Sequence, residues 1–203
     1  MSDLPLHAPV HCQDGECGVT TNAIVNPVTR ELTHIAIRDE GLGDNPTRLV
    51  PIDRLGSITD GTVHLECSRE DVGKMAPFVT QHLVQQSPSP SPDAGSYFAS
   101  RYVFNDTAYN VIAEEDVPAG ARNVVSGMPV EATDGKIGTL DELVLAEGTG
   151  SITHILLRRG HLFGDKHVAV PVTAVGEVLG GTVYLDLDKA AVKALPEMPI
   201  REP

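Results

Sequence analysis

Shifted by 120 positions, the chain repeats itself: residues 10–70 align with 130–190 without a gap, and 17 of these 61 positions are identical. The matches fall in blocks. Among them are Asp14-Gly15 with Asp134-Gly135, Thr33-His34-Ile35 with Thr153-His154-Ile155, and Val50-Pro51 with Val170-Pro171. Gly61-Thr62-Val63 likewise matches Gly181-Thr182-Val183, and most mismatches exchange one apolar residue for another. A fixed period of this kind marks a duplicated structural unit. A unit of about 65 residues buries only ~60% of the surface its unfolded chain exposes and is marginal alone. Two copies gain by sharing apolar surface.

Each copy reads as a series of short strands. Asp14-Gly15 and Asp134-Gly135 sit between short runs, a strong hairpin signal. Strands are expected through 23–25, 32–37, 49–52 and 61–65, and at the same places 120 residues on. Pro51 and Pro171 confine their strands to an edge or an end, because proline cannot donate to a ladder. Five or six short strands in so few residues, with glycine at nearly every turn, predict a small closed barrel. A short helix should follow each set. Ser68 caps 69–75 with Asp71 at the capping-box spacing, Asp188 caps 189–195, and Pro77 and Pro196 stop them. The fold class is therefore all-β: two small barrels in tandem, each followed by one short helix.

Between the copies, residues 87–92 read SPSPSP, a stiff solvated linker. Five of the eight Phe and Tyr fall between Tyr97 and Tyr109, so 97–125 is expected to dock as an aromatic arm. The predicted organisation is a first repeat over 1–86, a linker and arm over 87–122, and a second repeat over 123–203. With no tryptophan, the barrel cores must be built from Val, Ile and Leu.

The net charge of -13 disfavours nucleic acid and anionic lipid as partners, since both need a basic face. No apolar run approaches the ~20 residues that span a bilayer, and the first residues lack the pattern of a signal peptide. A cytoplasmic protein that does not insert into membranes is expected. Three cysteines, an odd number, do not form a secreted disulfide framework.

In this order the motifs Asp-Gly…Gly, Thr-His-Ile, Val-Pro-Ile/Val and Gly-Thr-Val-x-Leu resemble the PRC-barrel. That domain is named for the cytoplasmic H subunit of the photosynthetic reaction centre, and also ends a bacterial ribosome-maturation factor. The second copy is the closer match, from Gly127-Met128-Pro129-Val130 through Gly160-His161-Leu162-Phe163-Gly164 to Val170-Pro171-Val172. The resemblance implies a six-stranded β-barrel used for protein–protein docking, with no catalytic residue set. Free-standing tandem members carry no assigned activity as a group. The transmembrane helix of the first relative and the RNA-facing domain of the second have no counterpart, so neither specific role is expected.

Three constellations stand out. His34 and His154 hold the same place in the two copies; strand alternation puts Leu32, His34 and Ala36 on one face, with Ile152, His154 and Leu156 as twins. That face is a candidate seam between barrels or between chains, and the alternative is a structural histidine bonded to nearby backbone. His11, Cys12 and Cys17 suggest a soft metal site. A hairpin looping at Asp14-Gly15 would instead pair Cys12 with Cys17 within disulfide reach, as a redox switch. Small core hydrophobes are the third reading, since Ala132 and Ile137 replace them in the second copy. Arg158, Arg159, His161 and Lys166 form the basic cluster, either an ordinary solvated turn or a docking spot for an acidic partner. No phosphate loop or nucleophile elbow is present. The expected role is a non-enzymatic docking or adaptor module that needs no cofactor, with self-association as one mode. A redox- or metal-responsive protein and a ribosome-associated factor are the alternatives.

Overall fold

The computed structural model describes residues 2–43, 46–85, 109–146, 149–158 and 167–198. The first repeat supplies β1 (Ser2–Pro5), β2 (Pro9–Cys12), β3 (Gly15–Asn26), β4 (Glu31–Arg38), β5 (Thr47–Pro51), β6 (Leu55–Thr59), β7 (Thr62–Leu65) and helix α1 (Arg69–Lys74). Next come β8 (Val79–Gln85) and β9 (Tyr109–Glu115), which pair antiparallel as a unit of their own over Val79–Asp116. The second repeat supplies β10 (Arg122–Val125), β11 (Pro129–Ala132), β12 (Gly135–Leu145), β13 (Ile152–Arg158), β14 (His167–Pro171), β15 (Val175–Leu179), β16 (Thr182–Leu185), helix α2 (Lys189–Lys193) and β17 (Glu197–Met198). The residues expected to form the Ser/Pro linker, and 97–108 of the arm, lie outside the described residues.

The molecule is all-β, as the repeat predicts. One sheet runs β5-β4-β3-β2-β7-β6 and the other β14-β13-β12-β11-β16-β15, the same order in both repeats. Each has one parallel neighbour pair, β2 with β7 and β11 with β16, which folds the meander back on itself. Strands β5 and β14 stop at their prolines, and a single 3-10 turn follows each. The capping box of α1 forms with Ser68 and Asp71, and Asp188 caps α2.

The 23–25 stretch is not a separate strand, because β3 runs unbroken through it and so does β12 through 143–145. These strands are long because each serves two partners along one edge. Pro9–Cys12 pairs with the first half of β3, and β10, from the other repeat, pairs with the second half. Reciprocally, β1 pairs with the second half of β12. The registers are 120 residues apart throughout: Leu4 opposes Leu143 and Val124 opposes Ala23. The two repeats thus exchange their leading strands across a pseudo-two-fold axis. At the axis Glu31 bridges Ser151, with Leu32 N donating to Gly150 O and Ile152 N donating to Arg30 O, each at 3.0 Å. Arg30 holds φ 60° where its twin is Gly150 at φ 67°.

One hydrophobic core runs through both repeats. It joins Leu4, Val10, Leu32, Ile35 and Ile37 to Val130, Leu143, Ile152, Ile155 and Leu157. The four-residue exchanged strands are part of it: Leu4 is fully buried, and Val124 nearly so.

Candidate functional site

The alternation expected for the histidine strands is broken by a β-bulge in each copy. Opposite β4 the register steps from Ile24↔His34 to Val25↔Leu32, and opposite β13 from Val144↔His154 to Leu145↔Ile152. The extra residue is Thr33 or Thr153. A bulge adds one residue and flips the faces beyond it. Leu32 and Ile152 therefore turn into the core beside Ile35 and Ile155 rather than sharing the histidine face. Leu156 does lie on the other face, packed with Val144 and Ala169, but it is buried within the chain.

Thr33 Oγ1 donates to Ile24 O at 2.9 Å, and Thr153 Oγ1 to Val144 O at 3.1 Å. A hydroxyl has one proton, so the neighbouring histidine must donate to the threonine oxygen. His34 Nδ1 does so at 3.2 Å and His154 Nδ1 at 3.1 Å. Burial lowers the pKa of His34, with the Asp53 carboxylate opposing. Both histidines hold the bulge two residues from the junction at Leu32 and Ile152.

His11, Cys12 and Cys17 do not converge. Cys12 and Cys17 are joined by a disulfide, Cα atoms 5.8 Å apart, on the buried side of the hairpin, while His11 faces solvent. The hairpin loop is Gln13-Asp14, with Cys12 opposite Gly15 and His11 opposite Glu16, one step from the register expected from Asp14-Gly15. Tertiary contacts select this register. Gln13 N donates to Cys67 O at 3.0 Å, and Asp14 Oδ1 accepts from Arg69 N at the start of α1. The second copy repeats the docking through Thr133 N to Leu187 O and Lys189 N to Asp134 Oδ1. The remaining thiol, Cys67, is buried, and burial pushes its pKa up, with Asp71 and Asp14 adding to the shift and Arg54 opposing. Among the described residues no group of three or more His, Cys, Asp and Glu is arranged to hold a metal ion.

Of the basic cluster, Arg158 is described: its Nη2 donates to Asp141 Oδ1 at 2.8 Å. Arg159, His161 and Lys166 lie outside the described residues. His167 Nε2 donates to Asp141 Oδ2 at 2.8 Å, so one nearly buried carboxylate ties β12 to β13 and β14. The first repeat has threonines at the positions of Asp141 and His167, and uses a different pair. Asp39, its side chain 6% exposed, accepts from Arg69 Nε at 2.6 Å and Nη2 at 2.7 Å. A Cβ at Gly41 would meet the Arg69 guanidinium, so a side chain there would push Arg69 from its place on Asp39. Nothing in the sequence flagged this pair, since its members lie on separate elements with no local pattern between them.

A family model for the PRC-barrel domain matches residues 122–192. That span is a PRC-barrel domain. No curated protein matches the chain. The first repeat lies outside the family match and is tied to the PRC-barrel domain by its strand order and by the 120-residue register. At the junction, an apolar cleft of about 60 Å³ opens between Val25 and Arg30 of the first repeat and Leu143, Ile152 and Val183 of the PRC-barrel domain. It is less than half the ~150 Å³ that admits benzene. The PRC-barrel domain also presents Leu179, 59% exposed, and Tyr184, 37% exposed, on the β15–β16 hairpin.

Proposed function

We propose that the chain is a non-enzymatic docking or adaptor module whose PRC-barrel domain engages a protein partner. The observation that carries this reading is the PRC-barrel match over 122–192, a domain type associated with protein interaction. Support for a contact surface comes from Leu179 and Tyr184, large apolar side chains left in water on one hairpin. Tyrosine is a common anchor at interfaces, and an exposed leucine beside it adds apolar area. The net charge of -13 favours a partner with a basic or apolar face over nucleic acid.

The test is cross-linked affinity purification from the native host, with wild type and a Leu179→Glu/Tyr184→Glu variant, each with and without nuclease and reductant. One dominant protein, recovered by the wild type, insensitive to nuclease and lost with the variant, is the expected result. Recovery of the bait alone, or of material that nuclease removes, would overturn the reading. The Cys12–Cys17 disulfide favours a second one, a module whose binding responds to thiol oxidation. In that case the partner is recovered in only one of the two reductant arms.

A further inference from the structure

His11 and His64, far apart in sequence, are neighbours on the outer surface of the first repeat. Strands β2 and β7 run parallel with His11 beside His64 in register, and the two ring centroids are 5.8 Å apart at an interplanar angle of 51°. The flanking Val10, Cys12, Val63 and Leu65 are buried, so both imidazoles stand on the solvent side. Glu16 opposes His11 on β3, and Ser57 opposes His64 on β6, completing one row of side chains across four strands. The second repeat keeps the strands but places Glu131 beside Tyr184. The fold therefore does not require a histidine at either position.

The spacing suits a shared ion. A metal bound about 2.0–2.1 Å from one nitrogen of each imidazole holds the two centroids roughly 4.5–6.5 Å apart, depending on the nitrogen–metal–nitrogen angle. Imidazole is the preferred ligand of the borderline ions Cu²⁺, Ni²⁺ and Zn²⁺. We propose that His11 and His64 together bind one such divalent transition-metal ion, with water at the remaining positions. Copper should bind most tightly, as nitrogen sites follow the Irving–Williams order. The site uses neither cysteine of the disulfide and is independent of the docking surface on β15–β16.

The full-length protein, kept free of reductant so that Cys12 and Cys17 stay bonded, is titrated with NiCl₂ and with CuSO₄ by calorimetry. One ion per chain is expected for the wild type. His11→Gln and His64→Gln should each lose at least the roughly 10–100-fold that even an outer-shell change costs. His154→Gln, in the other repeat, should lose nothing. Both substituted positions face solvent, and circular dichroism verifies that each variant folds. As a second readout on the unaltered protein, electron paramagnetic resonance of bound Cu²⁺ should report two imidazole nitrogens. No binding by the wild type, equal affinity in the wild type and both single variants, or a spectrum with one imidazole would overturn the proposal.

Discussion

At the scale of single residues, the Asp39–Arg69 pair carries the clearest electrostatic consequence. The Arg69 guanidinium holds the Asp39 carboxyl below its ordinary value of 3.8, with Gly41 N–H helping and burial opposing. A carboxyl with a depressed folded pKa stabilises the fold fully above its unfolded value. As the pH falls toward the folded value, the unfolded chain takes up the proton first and the contribution is lost. Asp39→Ala is expected to cost about 1.5–3 kcal/mol near neutral pH, the range for hydrogen bonds to charged groups. The difference in urea midpoint between wild type and Asp39→Asn should shrink between about pH 5 and about pH 3. A difference that stays constant over that range would assign Asp39 no electrostatic role. The mates Thr33 and His34, and Thr153 and His154, act differently: they satisfy the backbone carbonyl opposite a bulge, and so share one job in both repeats.

Among elements, the β2–β3 hairpin sets the two repeats apart. Both hairpins dock on the start of their helix through an aspartate, yet only the first is closed by a disulfide. So short a loop gives a small loop-entropy gain, and reduction should lower stability by about 2 kcal/mol. Comparing urea melts of oxidised and reduced protein measures this. Titration of the denatured, unreduced chain should find one thiol, Cys67, against three after reduction. Three thiols before reduction would contradict the bond. In the second repeat, buried Ala132 and partly buried Ile137 take the equivalent places, so the hairpin needs apolar volume there and not sulfur as such.

At the scale of the whole molecule, strand exchange merges two marginal repeats into one core. Leu4 belongs to the first repeat by sequence and opposes Leu143 of the second. Leu4→Ala is expected to cost roughly 2–5 kcal/mol, as for other fully buried leucines. Because the two side chains are cross-strand partners, Leu4→Ala and Leu143→Ala should be non-additive by about 0.5–3 kcal/mol in a double-mutant cycle. Both repeats should also melt together by calorimetry. Separate transitions for the two repeats, with Leu4→Ala moving only one, would contradict a shared core.

The duplication, the all-β class, the short strands punctuated by glycine and proline, and the two helix caps were all legible in the sequence. Each rests on a signal carried by neighbouring residues: a fixed period, a turn dipeptide, a capping box. The identities marked His34 and His154 as twins, but not the junction at Leu32 and Ile152, which the strand pairing revealed. What only the tertiary structure decided depends on which distant edge a segment meets. Ser2–Pro5 and Arg122–Val125 are too short to announce themselves as strands, and they form because the long edges of β12 and β3 offer unpaired backbone groups. The bulges at Thr33 and Thr153 shift the side-chain period by one residue, which moves Leu32 and Ile152 into the core against the simple alternation. The docking of Gln13 and Asp14 at the start of α1 sets the hairpin register, with Cys12 opposite Gly15 and bonded across to Cys17. The return of β7 beside β2 puts His64 next to His11. Local chemistry determined the elements; long-range pairing, in which a one-residue change of register reverses every face, decided which side chains meet.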